Sequence, residues 1–414
     1  MEIKLKEITE KKIGFKIKSL NDSKRLSEII ANEIDLEISY NTIRRFFGVV
    51  KNVKASNYTL DIVSKFNGFD NYTDFIVNYR LSNKWKQEFE ITKIIHKNED
   101  DKLLEYIENN LNQTRSFNLK LIQIIRELLL VGNFILISKI FELEKMHANN
   151  FNYDDKVLIG MSIGHVLHLI DIKNEEFKEL ILNENFQDLV ITIFVDYGNL
   201  KTYYSKIIEI IHANSSRKNI LEFSKGILNL NIYFNKKLNN SFYSLKIEED
   251  FHPILKSRIF AQHLLTDDND IIHKLTNYHK TYQLKGYLEI EYLFEIIFTS
   301  IITRKFEVMK WIIEKVKQEG DYKFFYKYEH YNNYLFMKLI YYTKTNNLTK
   351  AVSFEQNFSL QVFSKSYEKM ALLYYYVYKF HTDNNLENLN AYTKLAKKVN
   401  SNFFTKRYLL EYFN

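Results

Sequence analysis

One proline, Pro253, and ten glycines are spread through 414 residues. A chain so poor in the residues that reverse a backbone tightly is badly suited to a fold of many short strands, whose turns depend on them. An all-helical fold is therefore expected. The abundance of Ile, Tyr and Phe pulls the other way, because β-branched and aromatic side chains fit a pleated surface. Periodicity decides between the two. Along most of the chain apolar residues recur at spacings of three and four, the signature of one helix face.

The chain is too long for one simple core, so either two or three domains or a small domain followed by a repeat array are expected. With 46% apolar residues it has the means to bury a core. It has no cysteine, which excludes disulfides, thiolate-bound metals and cysteine catalysis and fits a cytoplasmic protein. No uninterrupted apolar run follows Met1, Glu2 and Ile3, so no secretory signal is expected. The most apolar stretch, residues 121–141, is broken by Arg126, Glu127 and Lys139 and reads as a buried helix rather than a membrane span. The formal net charge of +7 is mild for this length and permits contact with a polyanion without requiring it. Its placement says more. Residues 39–60 carry Arg44, Arg45, Lys51 and Lys54 and no carboxylate.

That basic stretch lies in a candidate domain over residues 1–80. Residues 1–20 stay open between a helix with a loop and a short strand over 15–18. Ser23 or Asp22 is placed to cap the next helix, whose buried stripe is Leu26, Ile29, Ile30 and Ile34. A turn over 35–38 follows. Ser39 then caps a short helix in which Ile43, Phe46 and Phe47 point inward, Tyr40, Asn41, Arg44 and Arg45 point outward or to the flank, and Gly48 closes the end. The planar, many-donor head of arginine suits phosphates and guanine edges, and Asn41 suits adenine or a phosphate. A capped helix start can itself meet a phosphate. Two amphipathic helices on a short turn, the second basic outside, match a recognition helix entering a major groove. On this reading Ser39, Tyr40, Asn41, Arg44 and Arg45 meet the nucleic acid while Lys51 and Lys54 hold its backbone. Ser56 caps a further helix over 57–66, and Asn71 or Thr73 starts a last short one carrying Phe75, Ile76 and Tyr79. The plainer alternative is that a pair of arginines on a small helical domain is a solvated face.

Residues 23–79 also resemble a helix-turn-helix-like N-terminal module found in proteins of Bacteroidota. The matching positions are Leu26-Ser27, Ile38-Ser39, Thr42-Ile43, Arg45, Phe47-Gly48, Ser56, Thr59-Leu60-Asp61 and Gly68-Phe69 with Tyr72 and Phe75. The resemblance covers about a seventh of the chain and implies a DNA-binding role.

Residues 83–414 read as a succession of amphipathic helices with short polar breaks, among them 84–95, 154–169, 254–265 and 334–343. In the last third, long aromatic helices end at similar breaks, 303–306, 345–348 and 383–386, with Phe306, Leu348 and Leu386 at intervals of 42 and 38 residues. These intervals lie near the period of tetratricopeptide hairpins, though they are longer and irregular. The expected architecture is an α-solenoid of irregular tetratricopeptide-like hairpins, each burying against its neighbour the face it cannot cover alone. Such a stack takes a peptide or protein ligand, or dimerises. Tyr374, Tyr375, Tyr376 and Tyr378 are expected mostly to pack between helices, and residues 403–413 to form a capping helix.

Chemistry finds little support. His165 and His168, at i and i+3, could reach one metal, but no carboxylate stands at a useful neighbouring turn and His-Glu-x-x-His does not occur. Gly160 and Gly164 fall inside a helix, where close packing rather than phosphate binding explains them. No catalytic residue, metal or cofactor is assigned. The expected function is a DNA-binding transcriptional regulator with a helical-repeat sensor or oligomerisation domain, resembling in architecture the helix-turn-helix and tetratricopeptide sensors of other bacteria. The alternative is a non-enzymatic scaffold or adaptor in a stress or defence system.

Overall fold

In the computed structural model, the described residues are 1–50, 55–96, 99–113, 115–235, 242–266, 269–282, 287–316, 325–399 and 402–414. Among them every regular element is helical, as the scarcity of turn residues leads one to expect. No helix among the described residues is long and apolar enough to cross a membrane. The chain forms two compact units, Met1–Leu103 and Leu104–Asn414.

The first unit begins with α1 (Glu2–Ile13), so the open N-terminal stretch is a helix, stopped by Gly14 at a φ of 76°. In α2 (Leu20–Ile34) the cap is Ser19, not Ser23 or Asp22. Ser19 Oγ accepts from the Asp22 amide at 3.2 Å, and Asp22 Oδ2 accepts from the Ser19 amide at 2.8 Å. This reciprocal box satisfies two amides where a single cap satisfies one. Next come α3 (Tyr40–Phe46) and α4 (Asn57–Phe66), capped by Ser39 and Ser56 as expected. Then α5 (Tyr72–His96) is one helix where two were expected. No glycine or proline stands between residues 79 and 84 to stop a helix.

The core of this unit includes Leu26 and Ile30 of α2, Ile43 and Phe46 of α3, Val63 and Phe66 of α4 and Phe75 of α5, while Ile29, Ile34 and Phe47, also expected inside, are only partly buried against it. Burying each large apolar side chain is worth roughly 1.5–3 kcal/mol. Polar ties fix the helix ends. Asn67 Nδ2 donates to Thr9 Oγ1 at 2.8 Å, and the Lys12 ammonium bonds both Glu33 and the Phe66 carbonyl at the C-terminal end of α4, where a helix dipole favours a cation.

After α6 (Asp100–Asn110), the second unit runs through α7 (Arg115–Val131), α8 (Phe134–Glu142), α9 (Tyr153–Gly164), α10 (Glu175–Leu182) and the short α11 (Glu184–Phe186). It continues through α12 (Ser205–Asn214), α13 (Lys218–Phe234), α14 (Pro253–Ala261), α15 (Ile271–Thr281), α16 (Tyr287–Thr303) and α17 (Phe306–Lys315). It ends with α18 (Phe325–Lys344), α19 (Leu348–Asn357), α20 (Glu368–Asp383), α21 (Leu386–Val399) and α22 (Lys406–Leu410). Several bounds differ from expectation. The helix expected over 154–169 stops at Gly164, that over 254–265 at Ala261, α18 starts at Phe325 rather than 334, and the last helix is a single short turn pair.

Packing is mostly between helices close in sequence, including α7 with α8, α12 with α13, α16 with α17, α18 with α19 and α20 with α21. Four of these pairs, α7–α8, α16–α17, α18–α19 and α20–α21, share one turn. A residue in the left-handed region ends the first helix, and two residues later a Phe or Leu starts the second. The left-handed residues are Gly132 (φ 79°), Arg304 (61°), Asn346 (55°) and Asn384 (47°). In three of these turns the next amide reaches back across the helix end: Asn133 N to Leu128 O at 3.0 Å, Lys305 N to Ser300 O at 3.1 Å and Asn347 N to Tyr342 O at 2.9 Å. Only the first turn uses glycine, which is why a glycine search passes over the other three.

Gly160 and Gly164 lie where the chain over residues 189–194 passes close to α9. A Cβ at Gly160 would stand 2.5 Å from Ile193, and one at Gly164 would stand 2.4 Å from Phe194. Of the four neighbouring tyrosines, Tyr374 and Tyr378 are buried. Tyr375 and Tyr378 donate to Glu355 at 3.2 and 2.7 Å, and Tyr374 pairs with Tyr408 at 3.1 Å, so these three pack between helices.

Candidate functional site

Residues Ser39, Tyr40, Asn41, Arg44 and Arg45 come together on α3, and Lys51 and Lys54 lie outside the described residues. α3 is held from below by Ile43 and Phe46, both buried. The turn before it is held from the side, because Ser27 Oγ of α2 donates to the Ile38 carbonyl. The direction in which α3 shows its outer face is thus set by α2. Ser39 Oγ accepts from the Thr42 amide at 3.1 Å, and Gly48, at a φ of 81°, lets the Val49 amide close the helix on the Arg44 carbonyl at 2.9 Å.

On the outer face Ser39, Tyr40, Asn41 and Arg45 are exposed and Arg44 is half-buried. Arg45 has no hydrogen-bond or ion-pair partner among the described residues. Arg44 Nη1 donates to Asn41 Oδ1 at 3.4 Å, and its buried Nε has no hydrogen-bond partner among the described residues. Neither arginine pairs with Glu28, Glu33 or Glu37, and Glu33 is engaged by Lys12. Lys24 of α2 lies 5.5 Å from the Tyr40 ring and adds a cation beside the face. At the start of α3 the Ser39 side chain occupies the Thr42 amide. What α3 offers is its face, two planar cations with an amide and a phenol, able to donate to phosphates, base edges or carboxylates.

In the second unit the structure assembles polar residues that chain spacing could not connect. Arg258 of α14 and Glu295 of α16 form a buried ion pair, 6% and 2% exposed, with Nη2 2.6 Å from Oε1. Tyr197 donates to both Glu295 oxygens at 2.8 Å and Tyr367 donates to Oε1 at 2.9 Å. Burial disfavours the charge on Arg258, but Glu295, Tyr197 and Tyr367 more than offset it and hold the guanidinium's pKa above its usual value. Phe223 lies 4.9 Å from the guanidinium on its other side. Nothing in the local sequence marks this network, because its members are drawn from residues 197 to 367.

His165 and His168 lie side by side, their ring centres 5.4 Å apart. His168 Nδ1 is engaged at 2.6 Å by the His165 carbonyl, and no group of three metal-ligating side chains occurs among the described residues. Burial is the main cause of a lowered pKa at His165.

No family model, no curated protein and no solved structure matches the chain. What it does has to be read from its own side chains.

Proposed function

We propose that the chain is a DNA-binding transcriptional regulator. The first unit is helix-turn-helix-like, with α3 entering a major groove. Arg45, Arg44 and Asn41 contact base edges or phosphates, Ser39 and Tyr40 border the contact, and Lys51 and Lys54 hold the backbone. The second unit is a tetratricopeptide-like array that dimerises the protein or receives a peptide or protein signal. No catalysed reaction is part of this role. The observation that supports it most is the outer face of α3: Arg45 stands exposed with no carboxylate partner among the described residues, on a helix whose direction Ser27 fixes.

The test is a binding titration of the full-length protein against the duplex upstream of its own reading frame and a scrambled duplex, across a salt series. Preference for the native duplex and a steep loss of affinity with salt are expected, each lost phosphate contact lowering the logarithmic slope by about 0.9. The Arg44→Ala/Arg45→Ala variant, checked for folding, is expected to lose the preference. No binding up to roughly tens of micromolar, the range of non-specific contacts, would overturn the regulator and leave α3 as a protein-docking or solvated face.

A further inference from the structure

The second unit contains a cavity of ≈ 740 Å³, within the size range of small-molecule sites. It is walled in part by Phe294 of α16, His330 of α18 and Tyr367. The Phe294 ring centre lies 4.2 Å from that of His330 and 5.2 Å from that of Tyr367, so the three rings form one aromatic end. Glu329 also lines the cavity and is 3% exposed. Ser364 donates to its Oε1 twice, from the backbone amide at 2.9 Å and from Oγ at 2.8 Å. Among the described residues no cation pairs with this carboxyl.

A buried carboxyl without a counter-charge is costly when ionised. Glu329 accordingly holds its proton to higher pH than an exposed carboxyl: burial pushes its pKa up to about 7, against the opposing pull of the Ser364 hydrogen bonds. The other charged groups on the wall differ. Arg258 is committed to Glu295, and Arg217 is committed to Asp188 at 2.5 Å. Lys218 lies 4.0 Å from Glu248, Asp250 is exposed to solvent, and His252 is exposed too. His330 is held neutral by burial, with its pKa lowered to about 3. Among the described residues Glu329 is thus the one buried carboxyl of the wall that lacks a cation, and the same wall carries Phe294 and Tyr367, whose ring faces attract one.

We propose that this cavity binds a small organic ligand through a primary ammonium group, which ion-pairs with Glu329 and packs against Phe294, His330 and Tyr367. The ammonium replaces the proton on Glu329 and supplies the missing counter-charge through charge-assisted hydrogen bonds. Binding below neutral pH therefore releases a proton, and affinity rises as pH rises through the titration of Glu329. Lys156, in the same wall and with no carboxylate partner among the described residues, is placed to take a carboxylate if the ligand carries one. The inference does not depend on DNA binding and is tested without DNA.

The test is calorimetry on the full-length protein with phenethylamine, which stays charged between pH 6 and 8. Binding is expected to be roughly tenfold tighter at pH 8 than at pH 6, with proton release visible at pH 6 as a heat that changes with the buffer. Glu329→Gln, which keeps a neutral group of the same shape, is expected to weaken binding at pH 8 at least tenfold and to erase the pH dependence. If that variant does not fold, the buffer-dependent heat of the unmodified protein still decides. Phenylalanine separates the two sources of the ammonium. Tighter binding than phenethylamine, lost in Lys156→Met, identifies an amino acid or a peptide terminus, whereas weaker binding identifies a simple amine. Tighter binding of 3-phenylpropionate than of either ammonium overturns the proposal, as does the absence of heat with both ammonium probes up to roughly millimolar concentration.

Discussion

Arg45 in the first unit and Arg258 in the second are the same side chain in opposite circumstances. Arg45 is exposed and without a partner among the described residues, so its charge rests on the surface at almost no cost and stays available to a polyanion. Arg258 is buried, fixed by Glu295 and surrounded by Tyr197, Tyr367 and Phe223. Its charge is spent on the fold. A cation near a candidate site therefore does not imply a role in binding: what matters is whether another residue already holds it. By that criterion Arg45 and Lys156 are open, whereas Arg258 and Arg217 are committed.

The comparison can be broken most sharply at Glu295. Glu295→Gln leaves the Arg258 guanidinium buried without its counter-charge and is expected to cost about 3–5 kcal/mol, while Arg45→Ala is expected to stay within about 0.5 kcal/mol. Urea unfolding of both variants measures the contrast, and an equal effect would dissolve it.

Glu329 gives a second, pH-dependent contrast. Its pKa in the folded chain is raised to about 7 from the usual 4.5. Its favourable contribution is therefore full below the unfolded pKa and is lost as pH rises through the folded one. Glu329→Gln is expected to be nearly neutral at pH 4.5 and more stable than the parent at pH 8, by at most about 3 kcal/mol. Melting curves at the two pH values read the difference, and a variant equally destabilised at both would show that shape rather than charge matters there.

Gly164→Ala places a Cβ 2.4 Å from Phe194 Cβ, so the chain at Phe194 must move away from α9. A loss of about 1–3 kcal/mol is expected, measured by denaturant midpoint. The smallest effect is expected at the start of α3. Ser39→Ala removes one cap and costs about 1 kcal/mol. If DNA affinity falls by more than this destabilisation explains, Ser39 contributes to the interface itself.

Much of the first unit was legible in the sequence. The caps at Ser39 and Ser56 and the buried stripe through Leu26, Ile30, Ile43 and Phe46 follow from local rules, which act within one or two turns of chain. The misses were local too. Ser19 rather than Ser23 or Asp22 caps α2, and α5 runs on through residues 80–83, where one helix is expected to end and another to follow. In the second unit three hairpin turns were visible as polar breaks, but the left-handed positions at Arg304, Asn346 and Asn384 were hidden because none is glycine. Glu329 carries no sequence signal at all, as its carboxyl is held by Ser364, 35 residues away, in a wall shared with Phe294 and Tyr367 from other parts of the chain.

By itself the sequence determined that this chain is helical, where most helices begin and which of their faces are apolar, because few residues in it can stop a helix and the apolar period is one that neighbours along the chain set between them. Only the tertiary structure decided which charges are held and which are open. The cost of a charge depends on how much water is removed from it and on which groups from distant elements replace that water. Arg45 and Arg258 are indistinguishable as letters, and packing alone left one exposed on the surface and made the other a part of the core.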